Sequence, residues 1–336
     1  MRIYDYWVQT GSRVKSPDGM EYWLSAWGGS NRDVDDAKAQ ALKSVEATRQ
    51  KLQENGSLNG HYEYGHDRSL KEKVIERFGD SEHPYAAITR NRYGALVLNS
   101  ARVFFADVDR EQTVQVPDKA EFNAELARKK KSTQSGPISS DRTLTDRLFG
   151  WLKSSCREQV RRSKQFQVDR YNNERDKLLK LAEEERVEQE RLAFERFKAF
   201  HEKFPALSFR VYETAAGYRV LVTNQTLDTS SDESSNWLDE LGSDKLYRTL
   251  CEKQQCYRAR LTPKPWRLPD FESRVFEPNP QNNDKPWLKK YENLSKDFSV
   301  CRLVETYGDG AVVDGVADVL EIHDSYVLNG AADQLA

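Results

Sequence analysis

The amino-acid sequence predicts an α+β fold, with a mixed or antiparallel sheet built from two groups of strands. Strand-like apolar runs fall into two groups, one around residues 86–106 and one around 209–222. Between them, residues 157–203 are dense in Arg, Lys, Glu and Gln and contain no Gly or Pro, which is typical of a long charged helix. Strand groups that are separated by helices, without regular strand–helix alternation, favour α+β over α/β.

This pattern predicts three parts of the chain. Residues 1–127 form an N-terminal α+β part, residues 128–204 a basic linker and the long charged helix, and residues 205–336 a C-terminal α+β part that completes the sheet. The linker is predicted from the Ser, Thr, Gly and Pro content that follows Lys129–Lys131.

The predicted elements follow from local patterns. In the first part we expect two strands around Tyr6 and Tyr22, a helix that Asn31 or Asp33 caps, a shorter helix from Ser69 to Phe78, and then a strand meander. The remaining predictions are a short amphipathic helix (144–153), the long helix (157–203), a strand pair (209–212 and 218–222), helices (236–241 and 245–251), a strand (257–261) and a final helix (316–323).

Composition excludes several classes of protein. The 336 residues include 52 Lys and Arg against 54 Asp and Glu, which gives a net charge of −2. An anionic partner would therefore need a local cluster of cations to bind to, because the electrostatic field of a nearly neutral protein attracts neither anions nor cations strongly. The four cysteines do not make a disulfide scaffold, and neither an apolar signal segment nor a run long enough to cross a bilayer is present, so we expect a cytoplasmic protein.

Asp107 and Asp109 follow an apolar strand and carry the clearest chemical signal. Residues two apart in a strand share a face, so the two carboxylates lie close together and repel unless a cation bridges them or one takes a proton. Mg²⁺ or Mn²⁺ prefers such oxygen ligands, and we take both residues as candidate metal ligands and catalytic residues. The alternative is a strand that reaches solvent and continues into an acidic loop.

Phe104-Phe105-Ala106-Asp107-Val108-Asp109 resembles the hydrophobic-DxD motif of the archaeo-eukaryotic primase superfamily, which includes primase–polymerases. A second motif of that superfamily is a glycine turn ending in a histidine that contacts nucleotide phosphates, and residues 214–222 resemble it, with Arg219 in the place of the histidine. The resemblance implies a metal-dependent nucleotidyltransferase, or a degenerate relative that binds nucleotide or nucleic acid. A third acid is expected, with Asp270, Glu321 and Asp324 as candidates. Residues 89–99 and 258–267 also resemble a bacterial protein family that has no assigned activity.

Basic residues near the predicted strands form a second candidate group, for binding phosphate or nucleic acid. Its members are Arg90, Arg92, Arg219, Arg258, Arg260, Lys264 and Arg267. Tyr257 and Trp266 lie among them and are candidates for stacking a base. The alternative is that the arginines pair with the abundant carboxylates and that Trp266 fills core.

Four further residues form a candidate zinc set: Cys251, Cys256, Cys301 and His323. Their alternative is a structural role, since free cysteine is frequently a small buried hydrophobe.

Two non-enzymatic functions compete with the nucleotidyltransferase. The first is a scaffold or interaction protein that forms homo-oligomers or docks a partner through residues 157–203. The second, which the sequence favours less, is peripheral membrane contact through residues 144–153 beside Lys129–Lys131. P-loop, dinucleotide-binding and serine-hydrolase motifs are absent from the sequence, so those classes are excluded.

Overall fold

The computed structural model describes residues 1, 3–55, 70–80, 83–111, 113–116, 146–269, 271, 286–328 and 334–336, without the side chains of 146–164 and 167. The chain divides into two compact units. The first contains residues 1–109 and 196–336, and the second contains residues 110–195. The predicted linker at 128–140 and Lys129–Lys131 lie outside the described residues.

The described part of the chain contains ten strands and six α-helices. The strands are β1 (Tyr6–Lys15), β2 (Glu21–Ser30), β3 (Lys73–Gly79), β4 (Pro84–Arg90), β5 (Leu96–Ser100), β6 (Phe105–Asp109), β7 (Phe209–Thr214), β8 (Gly217–Val222), β9 (Tyr257–Arg260) and β10 (Cys301–Tyr307). The helices are α1 (Val34–Asn55), α2 (Asp146–Lys203), α3 (Asp232–Glu240), α4 (Lys245–Gln254), α5 (Pro286–Ser295) and α6 (Asp314–Val327).

The α+β class is confirmed, and the named strands form antiparallel sheets. Strands β1 and β2 form a hairpin. One four-stranded sheet has the order β10-β7-β8-β6 and is called the β6 sheet; the other has the order β3-β4-β5-β9 and is called the β9 sheet. Each four-stranded sheet combines strands from before and after α2, so the two predicted strand groups do pair, but in two sheets and not in one.

The core of the first unit contains a cluster of aromatic side chains that come from both four-stranded sheets and from α2 and α3. Phe104 packs its ring 5.4 Å from that of Trp237 and 5.2 Å from that of Tyr257. Phe200, near the end of α2, packs against Phe209 and Trp237. These buried aromatic contacts join segments that are distant in the chain and help to hold β6 and β9 in place.

Two predicted helices differ from the structure. The helix predicted from Ser69 to Phe78 is wrong, because Lys73–Gly79 forms strand β3. The charged residues of this segment suit a helix, but its antiparallel pairing with β4 (Pro84–Arg90) overrides this local preference. Residues 146–153 of the short helix predicted at 144–153 form the beginning of α2, which is a single helix of 58 residues; residues 144 and 145 lie outside the described residues.

Within the second unit, α2 is stabilised by ion pairs along its exposed surface. Arg186 contacts Glu183 and Glu190, and Arg191 contacts Glu188 and Glu195. Ion pairs between exposed side chains such as these add only a little to the stability of the helix, because water screens them. Several apolar side chains of α2 are exposed: Phe166, Leu179, Leu181, Val187 and Leu192. Self-association through this helix stays a prediction.

In the part of the chain that the structure covers, no helix combines the length and the apolar character needed to span a membrane. The side chains of residues 146–153, which the peripheral-membrane alternative requires, lie outside the description.

Candidate functional site

The candidate site lies where strand β6 and strand β9 are in contact. Strand β6 is one edge of the β6 sheet, and β9 is one edge of the β9 sheet. Asp107 lies opposite Arg219 on β8, and Asp109 lies opposite Gly217. A Cβ atom on Gly217 would come within 2.1 Å of the Val108 carbonyl oxygen, so only glycine permits this close approach. The glycine of the second motif therefore has a steric role beside Asp109.

Arg219 and Asp107 form a buried ion pair across these strands. The Nε atom of Arg219 donates to Oδ1 of Asp107 at 3.2 Å, and the Arg219 side chain is only 4% exposed. Its Nη1 atom also donates to the Arg260 carbonyl oxygen at 3.0 Å, which ties β8 to β9. Since Nε and Nη1 donate to protein atoms, they hold Asp107 and the backbone of β9 in place. Phosphate binding by Arg219 stays a prediction.

The guanidinium of Arg219 continues into a chain of buried polar groups. Its Nη1 lies 3.2 Å from Nε2 of His323 and 3.5 Å from Sγ of Cys301. Nδ1 of His323 lies 2.8 Å from Oδ1 of Asp324, which also accepts from Tyr212 at 2.9 Å. Because Arg219 can only donate, the proton of neutral His323 belongs on Nδ1, where Asp324 accepts it. We call Asp107, Arg219, His323, Asp324 and Tyr212 the Arg219 network.

Burial lowers the pKa of His323 to about 4, so its imidazole is neutral at pH 7. In the unfolded chain the same group titrates near pH 6.5. As pH falls through that range the unfolded state takes up the proton first, which lowers the free energy of unfolding until about pH 4. Charged His323 would also face the guanidinium of Arg219, and among the described residues only Asp324 contacts it as a counter-charge.

This gives a prediction about pH. The His323→Gln variant keeps a donor and an acceptor but does not titrate, so its stability deficit relative to the wild type should shrink as pH falls from 6.5 to 4. Urea unfolding of both proteins at several pH values measures this difference. A deficit that stays constant over the range would contradict a lowered pKa of His323.

Asp109 and Asp244 add two carboxylates on the same edge. Burial raises the pKa of Asp109, and the nearby charges of Asp107 and Asp244 raise it further. Asp244 is the N-cap of α4, and its Oδ1 accepts from the Tyr247 backbone N–H at 2.8 Å. Ser243 Oγ donates to the Asp107 carbonyl oxygen at 2.8 Å, which anchors this segment against β6.

Asp244 is not among the three acids that the sequence offered, yet it lies close enough to Asp109 for its charge to act there. Asp270 lies outside the described residues, Glu321 is exposed on α6, and Asp324 belongs to the Arg219 network. The pattern Ser243-Asp244 before a helix signals a helix cap. That signal alone does not indicate proximity to β6.

Three cations face these acids: Arg260, Lys264 and Arg267. Burial and their mutual repulsion lower the pKa values of Arg260 and Lys264, while Asp107 acts in the opposite direction on both. Burial also lowers the pKa of Arg267, and Asp109 opposes it. None of the three side chains forms a hydrogen bond or a close ion pair with any residue that the structure describes. Partly buried cations without such partners are suited to an anionic ligand.

Two of the predicted phosphate-binding arginines have partners elsewhere. Arg90 donates to the Gly94 carbonyl oxygen and to Glu292, both at 2.6 Å. Arg258 forms a bidentate pair with Glu72 at 2.6 and 2.7 Å. At Arg90 and Arg258 the structure therefore agrees with the alternative interpretation, in which the arginines pair with carboxylates.

The two aromatic residues that were candidates for stacking a base differ in exposure. Tyr257 is buried and its hydroxyl donates to Ser234 at 2.6 Å, whereas Trp266 is 53% exposed beside Lys264. Arg92, which is exposed, places its guanidinium carbon 5.2 Å from the centre of the Tyr93 ring. Trp266 therefore does not fill core.

The zinc candidates are all buried and fall into two neighbourhoods. Cys251 and Cys256 lie next to each other at the end of α4, and Cys301 and His323 both contact Arg219. Burial raises the pKa of Cys256 to about 12 and that of Cys301 to about 11, so both are protonated at pH 7. Zinc binding stays a prediction.

Comparisons with models of protein families, with curated proteins and with solved structures find no match for this chain.

Proposed function

We propose that this protein binds the phosphate chain of a nucleotide or nucleic acid through a divalent cation, and that it transfers a nucleotidyl group there. One observation carries the proposal: the carboxylates Asp107, Asp109 and Asp244 share the edge where β6 and β9 meet with three cations that lack close partners among the described residues. Opposite charges that do not pair with each other are arranged to meet a ligand that carries both a cation and phosphates.

The donor set fits Mg²⁺ or Mn²⁺. Asp107 and Asp109 offer hard oxygen ligands. Burial raises the pKa of Asp109, and repulsion from Asp107 and Asp244 raises it further, so a bound cation would relieve that repulsion. Among the described residues no group of three or more His, Cys, Asp or Glu side chains encloses an ion by itself. Mg²⁺ does not need such a cage, because it usually keeps several waters and binds through one or two carboxylates plus substrate phosphates.

Each residue then has a distinct part in the chemistry. Arg260, Lys264 and Arg267 hold the phosphates and offset their charge. Arg219 keeps one oxygen of Asp107 engaged, so the carboxylate presents its other oxygen in a constant direction. The cation, when bound, supplies the charge that stabilises an attacking hydroxyl and a departing pyrophosphate. A relative that had lost transfer would keep the phosphate-binding parts alone.

The test is Mn²⁺ binding to the Asp109→Asn variant. Asp109 accepts no hydrogen bond from a described residue, so the substitution should leave the unfolding midpoint unchanged or raise it by removing repulsion from Asp107. We expect Mn²⁺ affinity to fall at least about tenfold, since one of two anionic ligands is lost. Isothermal titration with MnCl₂ measures it, with inorganic tripolyphosphate as a second titrant.

The control is Asp297→Asn, which removes an exposed carboxylate next to α5 and should bind Mn²⁺ like the wild type. Unchanged Mn²⁺ affinity in Asp109→Asn would overturn the metal assignment. Extension of a primed template with Mg²⁺ or Mn²⁺ then separates the two forms of the proposal. Metal and phosphate binding without extension would leave only the binding form.

A further inference from the structure

Two aromatic rings from different parts of the β9 sheet meet beside the phosphate-binding cations. Tyr93, in the turn between β4 and β5, and Trp266, just after β9, pack edge to face with ring centres 5.2 Å apart. Tyr93 is partly exposed, and Trp266 is 53% exposed. Leaving half of a tryptophan in water does not stabilise the fold. Aromatic residues that are exposed beside cations are typical of protein surfaces that bind single-stranded nucleic acid.

The backbone on both sides of this ring pair is held firmly. Oδ1 of Asn91 accepts from the backbone N–H groups of Tyr93 and Ala95 at 2.9 and 3.1 Å, and Gly94 closes the turn with a φ of +87°. Trp266 lies in a short 3-10 helix that begins at the buried Pro265. An aromatic side chain on a fixed backbone loses little conformational entropy when a ligand stacks on it.

Cations lie at both ends of the ring pair. The guanidinium carbon of Arg92 is 5.2 Å from the centre of the Tyr93 ring, and Nζ of Lys264 is 5.8 Å from that of Trp266. Lys264 also interacts with the charges of Asp109 and Asp107, so it connects the rings to the candidate metal site. A ligand with phosphates on Lys264 and Arg267 would bring its attached base to Trp266.

We propose that Trp266, supported by Tyr93, is a stacking platform for a nucleobase whose phosphate chain occupies the Arg260, Lys264 and Arg267 cluster. The inference rests on the proposed function, because the same cations serve both. Its chemistry is that of base stacking, which tolerates any base since each has a π face. The base belongs either to a free nucleotide or to a single strand, and the two sources are separated by experiment.

The experiment compares ligands with and without bases in the presence of Mn²⁺. Fluorescence anisotropy compares an oligothymidylate of about 12 nucleotides with an abasic strand of the same length. Titration calorimetry compares thymidine triphosphate with inorganic tripolyphosphate. The wild type should prefer the ligand with bases roughly five- to 100-fold in at least one comparison. A preference confined to one comparison identifies the source of the base.

Variants then test whether Trp266 causes the preference for ligands with bases. Trp266→Ala should lower the ratio of affinities to near one, while Trp266→Phe keeps a ring and should keep an intermediate ratio. Trp23→Ala removes a tryptophan that is 66% exposed on β2 and should keep the wild-type ratio. Because each ratio is taken within one protein, a general loss of affinity cancels.

The outcomes distinguish base stacking on Trp266 from phosphate binding by Arg260, Lys264 and Arg267. A wild-type ratio of one in both comparisons would overturn the platform and leave the phosphate site standing. The same follows if Trp266→Ala keeps the wild-type ratio, or if Trp266→Phe behaves like Trp266→Ala. Failure of the wild type to bind any of the four ligands would overturn the proposed function and the platform together.

Discussion

Arg219→Ala is expected to lower the free energy of unfolding by about 3–5 kcal/mol, the largest effect of any single substitution considered for this protein. The substitution removes the charged partner of Asp107 and the donor to the Arg260 carbonyl oxygen and to His323. His323 is fully buried, so its Nε2 would lose its only protein partner among the described residues in a place that water does not reach. Urea unfolding measures the loss.

The matched control is Arg302→Ala. Arg302 pairs with Glu213 at 2.5 Å, but its side chain is 61% exposed, so its removal should cost under about 1 kcal/mol. Equal losses in Arg219→Ala and Arg302→Ala would contradict a structural role for the Arg219 network. Arg219→Lys keeps the charge without the forked donors and should fall between the two, because Lys cannot serve several acceptors in the same plane.

Gly217→Ala is expected to lower the free energy of unfolding by roughly 1–3 kcal/mol or more and to weaken Mn²⁺ binding. The added Cβ would lie 2.1 Å from the Val108 carbonyl oxygen and 2.9 Å from Cα of Asp109. Both atoms are backbone, so β6 must move away from β8 to make room. Such a movement displaces Asp109, which stands opposite Gly217 in the sheet register.

Unfolding midpoints and Mn²⁺ titration test the two parts of this prediction. Gly19→Ala is the control for removing a glycine: no atom lies within 4 Å of its added Cβ, although its φ of +89° makes some strain unavoidable. Gly19→Ala should therefore lose stability without losing Mn²⁺ affinity. If Gly217→Ala binds Mn²⁺ as tightly as the wild type, the glycine does not position Asp109.

The charges at the candidate site are not fully neutralised by other described residues. Asp107 and Asp109 repel each other, and Arg260, Lys264 and Arg267 repel one another as well. Close pairing of these acids with these cations would relieve both sets, yet only Asp107 has an arginine within ion-pair distance in the described structure, and that arginine is Arg219. Sites that remain electrostatically unsatisfied in the folded protein are commonly retained for a ligand that satisfies them.

Local patterns determined much of this protein. The period of two in Phe105–Asp109 places Asp107 and Asp109 on one face of a strand, and the absence of Gly and Pro around residues 157–203 favours a long helix. Both depend on neighbours in the chain, where steric and hydrogen-bonding preferences act over a few residues. The same reasoning was wrong for Lys73–Gly79, because pairing with β4 decided the structure of that segment.

Only the tertiary structure decided which distant residues share the site. It joined the edges of two sheets, so that Asp109 came near Asp244 and Lys264, and it enclosed Arg219 among His323, Cys301 and the carbonyl oxygen of Arg260. Arg258 and Arg260 are two residues apart on one strand, yet Glu72 pairs with the first and no described acid pairs closely with the second. No period or motif encodes such differences, because they depend on which segments that are distant in the chain pack together to bury apolar surface.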